Sequence, residues 1–249
     1  MAWSTWVQLC GSFVVERDGS RVEHRLPGRQ GRLTLAYLAS HEDRAVTRDE
    51  LIYAVWGDEE PPDPDAALAS LLSKVRRVVG PDLISGRSSV RFVRDQATTH
   101  VDMHYARDAM HRALVHLSAG EPKMAWQPAH TAFFIAERRF MSGFEAPWID
   151  DVRGAMETVF LNGLECATRS LLAVDESHVA EISARKLVQR APFRESGYLL
   201  LMQALEVNGN RAEALRVFDT LRCLLSDELG TTPGPDVAAL HQRLLGAGS

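Results

Sequence analysis

Between Pro64 and Arg94 six cations (Lys74, Arg76, Arg77, Arg87, Arg91 and Arg94) stand against two carboxylates, Asp65 and Asp82. That window carries +4 while the whole chain carries −5, which leaves −9 for the remainder. A cationic island in an acidic chain is either a local anion-binding face or a solvated surface patch. The chemistry it offers is electrostatic: lysine and arginine held against phosphates.

Residue constellations for other chemistry are sparse. The chain contains no G-x-x-x-x-G-K-[ST] loop, no G-x-G-x-x-G and no H-E-x-x-H, so neither a nucleotide cofactor nor a zinc-hydrolase site is expected. His100 and His104 share one helical face, but lacking a nearby cysteine or third histidine they read as exposed residues of a helix-cap region. The remaining histidines have no carboxylate or cysteine partner in sequence range. No catalytic residue, metal or cofactor is expected. Cys10, Cys166 and Cys223 are far apart and odd in number, as suits a reducing cytosol. No run of eighteen apolar residues occurs, and Met1-Ala-Trp-Ser-Thr-Trp6 does not read as a secretory leader.

The elements that must position the cations come from the first part of the chain. At 249 residues, with 45% apolar and 24% charged positions, it fits two modest globular domains. Val7 to Val15 alternates loosely, Asp18-Gly19 supplies a turn, and Arg21 to Leu26 resumes an extended pattern before Pro27, which predicts a small N-terminal sheet. A helix is expected over Gly31 to Ser40. Thr47-Arg-Asp-Glu50 is a capping box that opens a second helix with Leu51, Ile52, Val55 and Trp56 inward, closed by Gly57. Asp58-Glu-Glu-Pro-Pro-Asp-Pro-Asp65 is a stiff acidic loop. In the third helix, about Asp65 to Val79, Leu68, Leu72, Val75 and Val79 form the buried stripe.

The opposite face of that helix carries Ala66, Ser70, Ser73, Lys74 and Arg77. Short side chains at the start permit close approach to a major groove, and cations toward the end meet phosphates. Gly80-Pro81 stops the helix, and Leu83 to Val93 reads as a hairpin around Ser85-Gly86, with Arg87 at its tip and Arg91 on its return strand. Helix, acidic loop, cationic helix and basic hairpin together describe a winged helix-turn-helix over residues 1–98. The candidate contacts to double-stranded DNA are Thr47 and Arg48 on the second helix, Ala66, Ser70, Ser73, Lys74, Arg76 and Arg77 on the third, and Arg87 and Arg91 on the wing.

From Val101 onward the pattern is helical. Helices are expected over Asp102–Ser118, Glu121–Arg139 (with Pro128 inside), Ile149–Val174, Val179–Gln189, Glu195–Val207, Arg211–Ser226 and Pro235–Leu245. Ala180 and Ala214 lie 34 residues apart, the tetratricopeptide period, and Asn208-Gly-Asn-Arg-Ala-Glu-Ala-Leu215 is a typical inter-helix turn of that repeat. Residues 99–249 are therefore read as an all-α helical-repeat domain presenting a groove for a partner. The aromatic run Trp126, Phe133, Phe134, Phe140, Phe144 and Trp148 is expected to be mostly repeat core.

Leu9-Cys-Gly-Ser-Phe-Val-Val15, Val46-Thr-Arg-Asp-Glu-Leu51, Trp56-Gly-Asp58 and Leu72-Ser-Lys-Val-Arg-Arg77 resemble the DNA-binding domain of actinobacterial antibiotic-regulatory activators, whose winged helix is shared with response-regulator output domains. Ala146-Pro-Trp-Ile-Asp-Asp-Val-Arg153, Arg190-Ala-Pro-Phe-Arg-Glu195, Leu201-Met-Gln-Ala-Leu205 and Leu225-Ser-Asp-Glu-Leu-Gly230 resemble the bacterial transcriptional activation domain that follows it, with the junction at Val101-Asp102. The resemblance implies a cytoplasmic, nucleoid-associated regulator of secondary metabolism that binds promoter direct repeats, is organised as a homodimer on them and recruits RNA polymerase holoenzyme. With no sequence left over for the modules that larger relatives append, a minimal two-domain form is expected. The acidic loop is either a proline-stiffened connector or, as the resemblance implies, a contact through Asp58, Glu59, Glu60, Asp63 and Asp65 to a basic polymerase surface.

Two departures matter. Where relatives carry longer polar side chains early on the exposed face of the third helix, Ala66, Ala69, Ser70 and Leu71 stand here, and Ser88-Ser-Val-Arg-Phe92 replaces the wing's usual Gly-Tyr. Weak or relaxed sequence preference is therefore expected, with phosphate contacts supplying most of the affinity. The alternative is an interaction scaffold whose winged helix no longer reads an operator.

Overall fold

A computed structural model describes residues 4–246. The Met1–Trp3 part of the opening segment lies outside them. The chain forms two compact units. One takes the residues up to Tyr105 together with Ile135–Glu157; the other takes Ala106–Phe134 and the chain from Thr158 onward.

The first unit is a winged helix-turn-helix framed by two small sheets. β1 (Thr5–Gln8), β2 (Val14–Arg17), β3 (Ser20–Arg21) and β7 (Thr99–Val101) form one sheet in the order β3-β2-β1-β7, with β1 parallel to β7 and the other pairs antiparallel. The expected turn sits between β2 and β3, where Asp18 (φ 50°) and Gly19 (φ 76°) both take positive φ as a tight hairpin demands. The extended pattern expected over Arg21 to Leu26 does not persist: Glu23–Arg25 is a single 3-10 turn, and Glu23 reaches back to accept from the Val15 amide and Arg21. A local side-chain bond there competes with continued strand pairing.

α1 (Gly28–Ser40), α2 (Arg48–Trp56) and α3 (Pro64–Val79) pack on one another. The second sheet, β4 (Val46–Thr47), β6 (Ser89–Phe92) and β5 (Ile84–Ser85), carries the wing. Leu68, Leu72, Val75 and Val79 are buried as the spacing required. Leu71, expected on the exposed face, is buried as well, because with Leu68 and Val75 it extends the apolar stripe sideways.

Residues 135–157 complete the same unit. Cys10 bridges Phe140, the Met141 amide donates to the Leu9 carbonyl at 2.7 Å, and the Gly11 amide donates to the Arg139 carbonyl at 2.9 Å. Trp148 donates its indole N–H to the Ala54 carbonyl at 3.0 Å and meets Tyr37 edge-on. Phe140 is buried here. Phe140, Phe144 and Trp148 therefore belong to the first unit rather than to the repeat core expected for them.

The second unit is helical. It holds most of α4 (Asp102–Ser118) and α5 (Pro122–Ala136), the larger part of α6 (Pro147–Leu172), and α7 (Ser177–Arg190), α8 (Glu195–Val207), α9 (Arg211–Leu229) and α10 (Pro235–Gly246). An alanine-rich seam of Ala109, Ala113, Ala125, Ala129, Ala132 and Ala167 joins α4, α5 and α6. Small side chains let the helix axes approach closely: a Cβ on Gly163 of α6 would lie 3.1 Å from Phe133. Ala180 and Ala214, the pair at the repeat period, are both fully buried, and Phe218 stacks on His241 at 3.8 Å between α9 and α10. The fold is thus an α+β winged helix followed by tetratricopeptide-like helix pairs. Trp126 and Phe134 are exposed on α5, so they too fall outside the core.

Candidate nucleic-acid interface

α3 begins with two local devices. Asp63 is its N-cap, accepting from the Ala66 amide at 3.0 Å, and Pro64 sits in its first turn, where its missing N–H costs nothing. Arg48 then braces the start of α3: Nε meets the Asp65 carboxylate at 2.7 Å, one terminal nitrogen donates to the Asp65 carbonyl at 2.8 Å, and the other to the Arg87 carbonyl at 3.3 Å. One guanidinium therefore links α2, α3 and the wing.

Arg76 does the equivalent at the other end. Its Nε donates to the Ile84 carbonyl at 2.9 Å and a terminal nitrogen to the Gly86 carbonyl at 2.7 Å. Arg94 lies in a bidentate pair with Glu42 at 2.6 and 2.8 Å. Arg48 and Arg76, two of the candidate DNA contacts, and Arg94 of the cationic window thus have intramolecular tasks, which sequence spacing did not reveal.

What remains outward is a smaller set. Ala66, Ala69, Ser70, Ser73, Lys74 and Arg77 are exposed along one side of α3, and Arg87 and Arg91 are exposed on the wing. Among the described residues no carboxylate pairs with Lys74, Arg77, Arg87 or Arg91. Thr47 caps α2, its hydroxyl accepting from the Glu50 amide at 3.3 Å. Of the acidic-loop residues, Asp63 and Asp65 are occupied by the cap and by Arg48, while Asp58, Glu59 and Glu60 stand exposed.

Behind this surface, α2 is fastened to α1 by Glu50, which accepts from the Tyr37 hydroxyl at 2.6 Å and from Arg44. The Arg44 bond holds the Glu50 carboxyl down at about 2, whereas burial, with Glu50 as the second cause, pushes the Tyr37 phenol up to about 12. Glu50 therefore stays charged and Tyr37 stays a donor across the physiological range. At the end of the unit, Asp102 opens α4 and accepts from the Leu9, Cys10 and Met103 amides at 2.8 to 3.0 Å.

His100 and His104, expected to be exposed, are buried. His100 stacks on Trp6 at 3.9 Å, and burial, then the charge of Arg94, lowers its pKa to about 4. His104 Nε2 lies 2.6 Å from the Ala39 carbonyl and Nδ1 3.3 Å from Glu42. Their spacing serves packing. Among the described residues no group of three histidines, cysteines or carboxylates is placed to hold a metal.

The helical domain decides the family. Residues 101–245 match the bacterial transcriptional activator domain, and residues 23–96 match the C-terminal domain of transcriptional regulatory proteins. The chain belongs to the bacterial transcriptional activator domain family. Within that family it is 34% identical to the regulatory protein AfsR of Streptomyces coelicolor, over 93% of this chain and 23% of that protein. It is 25% identical to the transcriptional regulatory protein EmbR of Mycobacterium tuberculosis, over 95% of this chain and 62% of that protein. The chain thus spans less than a quarter of the AfsR length and under two thirds of EmbR. The fold superimposes with a TM-score of 0.88 on a solved structure of Mycobacterium tuberculosis EmbR in complex with a low-affinity phosphopeptide, covering 98% of this chain and 65% of that one at 20% identity. Relatives of this family are transcriptional regulators, and no helix among the described residues is long and apolar enough to cross a membrane.

Proposed function

We propose that this chain is a cytoplasmic, nucleoid-associated transcriptional activator that binds double-stranded promoter DNA through α3 and the wing and recruits RNA polymerase holoenzyme. The observation that carries the reading is the uncovered side of α3: small residues at its start and two unpaired cations, Lys74 and Arg77, toward its end, beside Arg87 and Arg91 on the wing. Small side chains let the helix enter a major groove, and the four cations meet phosphates on either side. Ser70 and Ser73 are the polar groups available to base edges. Arg48 and Arg76 act from behind, fixing the start of α3 and the wing, and Thr47 caps α2.

Asp58, Glu59 and Glu60 offer an unpaired acidic patch to a basic polymerase surface, and a homodimer on tandem repeats would present two such patches in register. The test is promoter binding and in vitro transcription with the full chain. Lys74→Ala with Arg77→Ala should abolish promoter binding at physiological salt, while Glu59→Lys with Glu60→Lys should leave DNA binding intact and lower transcription. Unchanged promoter binding in the first variant would refute the DNA reading.

A second reading, an interaction scaffold, draws on Ala66 and Ala69, which leave the start of the α3 face without a side chain able to make a bidentate base contact. That reading expects little change in function from the Lys74 and Arg77 substitutions.

A further inference from the structure

A cleft of about 630 Å³ lies wholly inside the first unit, between α1, α2 and the first turns of α6 with the two residues before it. This volume is within the usual range for small-molecule sites. Four aromatic residues line it: Tyr37, Tyr53, Trp56 and Trp148. Two are fixed in place, Tyr37 by its bond to Glu50 and Trp148 by its bond to the Ala54 carbonyl. Tyr53 is 59% exposed although it is a large aromatic side chain.

The lining is net negative, with Arg29 against the carboxylates Glu50, Asp58, Glu59, Glu145 and Asp151, of which Glu50 is paired with Arg44. Arg29, a cation of the lining, is engaged: it donates to the Glu145 carbonyl at 3.0 Å and lies 5.4 Å from the centre of the Phe144 ring. The Glu145 carboxylate is taken by Arg139 and Arg153. Asp58, Glu59 and Asp151 also line the cleft, and none of them has an ion-pair partner among the described residues. Asp150, next to Asp151, is the acidic residue that Arg153 takes instead.

We propose that this cleft binds a small organic ammonium carrying an apolar body. Aromatic walls attract a cation through the ring quadrupole and accept the apolar part by burial, while the unpaired carboxylates supply long-range attraction and exclude anions. The assignment is independent of the DNA-contacting face, since every lining group lies off the exposed side of α3. Asp58 and Glu59 begin the acidic loop, so an occupied cleft would neutralise part of that loop's charge.

The test is titration of the full chain with benzyltrimethylammonium by calorimetry and by the indole ¹⁵N resonances. Phenylacetate and benzyl alcohol serve as the anionic and neutral counterparts, and acetyl-arginine amide as the side chain of a protein partner. Saturable binding of benzyltrimethylammonium is expected, with shifts in the Trp56 and Trp148 indole signals and no saturation by phenylacetate or benzyl alcohol. Tyr53→Ala, at an exposed position that leaves the core intact, should weaken binding about fivefold, the equivalent of one cation–π contact. Absence of saturable binding, equal affinity for phenylacetate or benzyl alcohol, or affinity unchanged in Tyr53→Ala would each overturn the assignment. Tighter binding of acetyl-arginine amide would overturn it in favour of a basic protein segment. None of these outcomes reads DNA binding, so failure here and failure of the activator reading are distinguishable.

Discussion

At the scale of single residues, the cations divide into those that face solvent and those that hold the unit together, and substitutions separate the two kinds. Arg76 bonds two wing carbonyls, and a charged donor lost from such bonds costs roughly 1.5–3 kcal/mol. Arg76→Ala should therefore lower the midpoint of thermal unfolding and weaken DNA binding without changing the slope of log affinity against log salt. Lys74→Ala should do the reverse. Stability stays within about 0.5 kcal/mol because the side chain is exposed and unpaired, and the salt slope falls by about 0.9 for one lost phosphate contact. Unfolding curves and salt-dependent mobility shifts on the same two proteins check both expectations.

His100 supplies a pH dependence at this scale. Its pKa is lowered from 6.5 to about 4, so below pH 6.5 the unfolded chain takes a proton that the folded one refuses. Stability should fall as pH drops from about 6.5 to about 4, by up to roughly 3 kcal/mol, and this contribution should level off below that. His100→Phe keeps a ring against Trp6 and removes the titration. The difference between the two proteins in unfolding free energy should widen on acidification across that window. Glu50, whose depressed carboxyl loses its contribution below about pH 4.5, is common to both and cancels.

At the scale of elements, α3 and the wing act as one piece because the β5–β6 turn is short and its backbone is fixed. Gly86 has φ 89°, and a Cβ there would lie 2.0 Å from the Ser89 carbonyl oxygen. No L side chain fits without opening the turn. Gly86→Ala should raise hydrogen-exchange rates at the β5 and β6 amides and loosen the carbonyl that Arg76 holds, with the amides of the second unit unaffected. Uniform exchange in both proteins would contradict the role given to the turn. The elements themselves were largely legible: the capping box at Thr47, the stripe from Leu68 to Val79 and the 34-residue spacing of Ala180 and Ala214 each led to an observed helix or pair. The Glu23–Arg25 turn was not, because its two-residue strand partner left too little pairing to outweigh a local carboxylate bond.

At the scale of the whole molecule, the winged helix does not end where its strands end. Residues 135–157 return to it, with Met141 on Leu9, Arg139 on Gly11, Trp148 on Ala54 and Arg29 on the Glu145 carbonyl. A fragment of residues 1–98 should therefore unfold at lower temperature than the same unit in the full chain and should bind a hydrophobic dye such as ANS. The apolar surface that Phe140 and Trp148 cover would be open to water. A fragment that melts as a full-length chain does, with no dye binding, would show the returning segment to be dispensable. The aromatic density between 126 and 148 was the available signal for this segment, but aromatic content does not say which core a ring enters.

Periodicity, caps and breakers act over a turn or two of chain, so the sequence alone determined the helices, the stripe each buries, the repeat spacing and the membership that follows from them. Which arginines face solvent and which are consumed was decided only by tertiary structure. Arg48, Arg76 and Arg94 are chemically equivalent to Arg77, Arg87 and Arg91, and their fates differ because Asp65, the wing carbonyls and Glu42 arrive beside them from other elements. The buried histidines, the returning segment and the aromatic cleft have the same cause: their partners lie many residues away, and local physics cannot encode a distance that only folding closes.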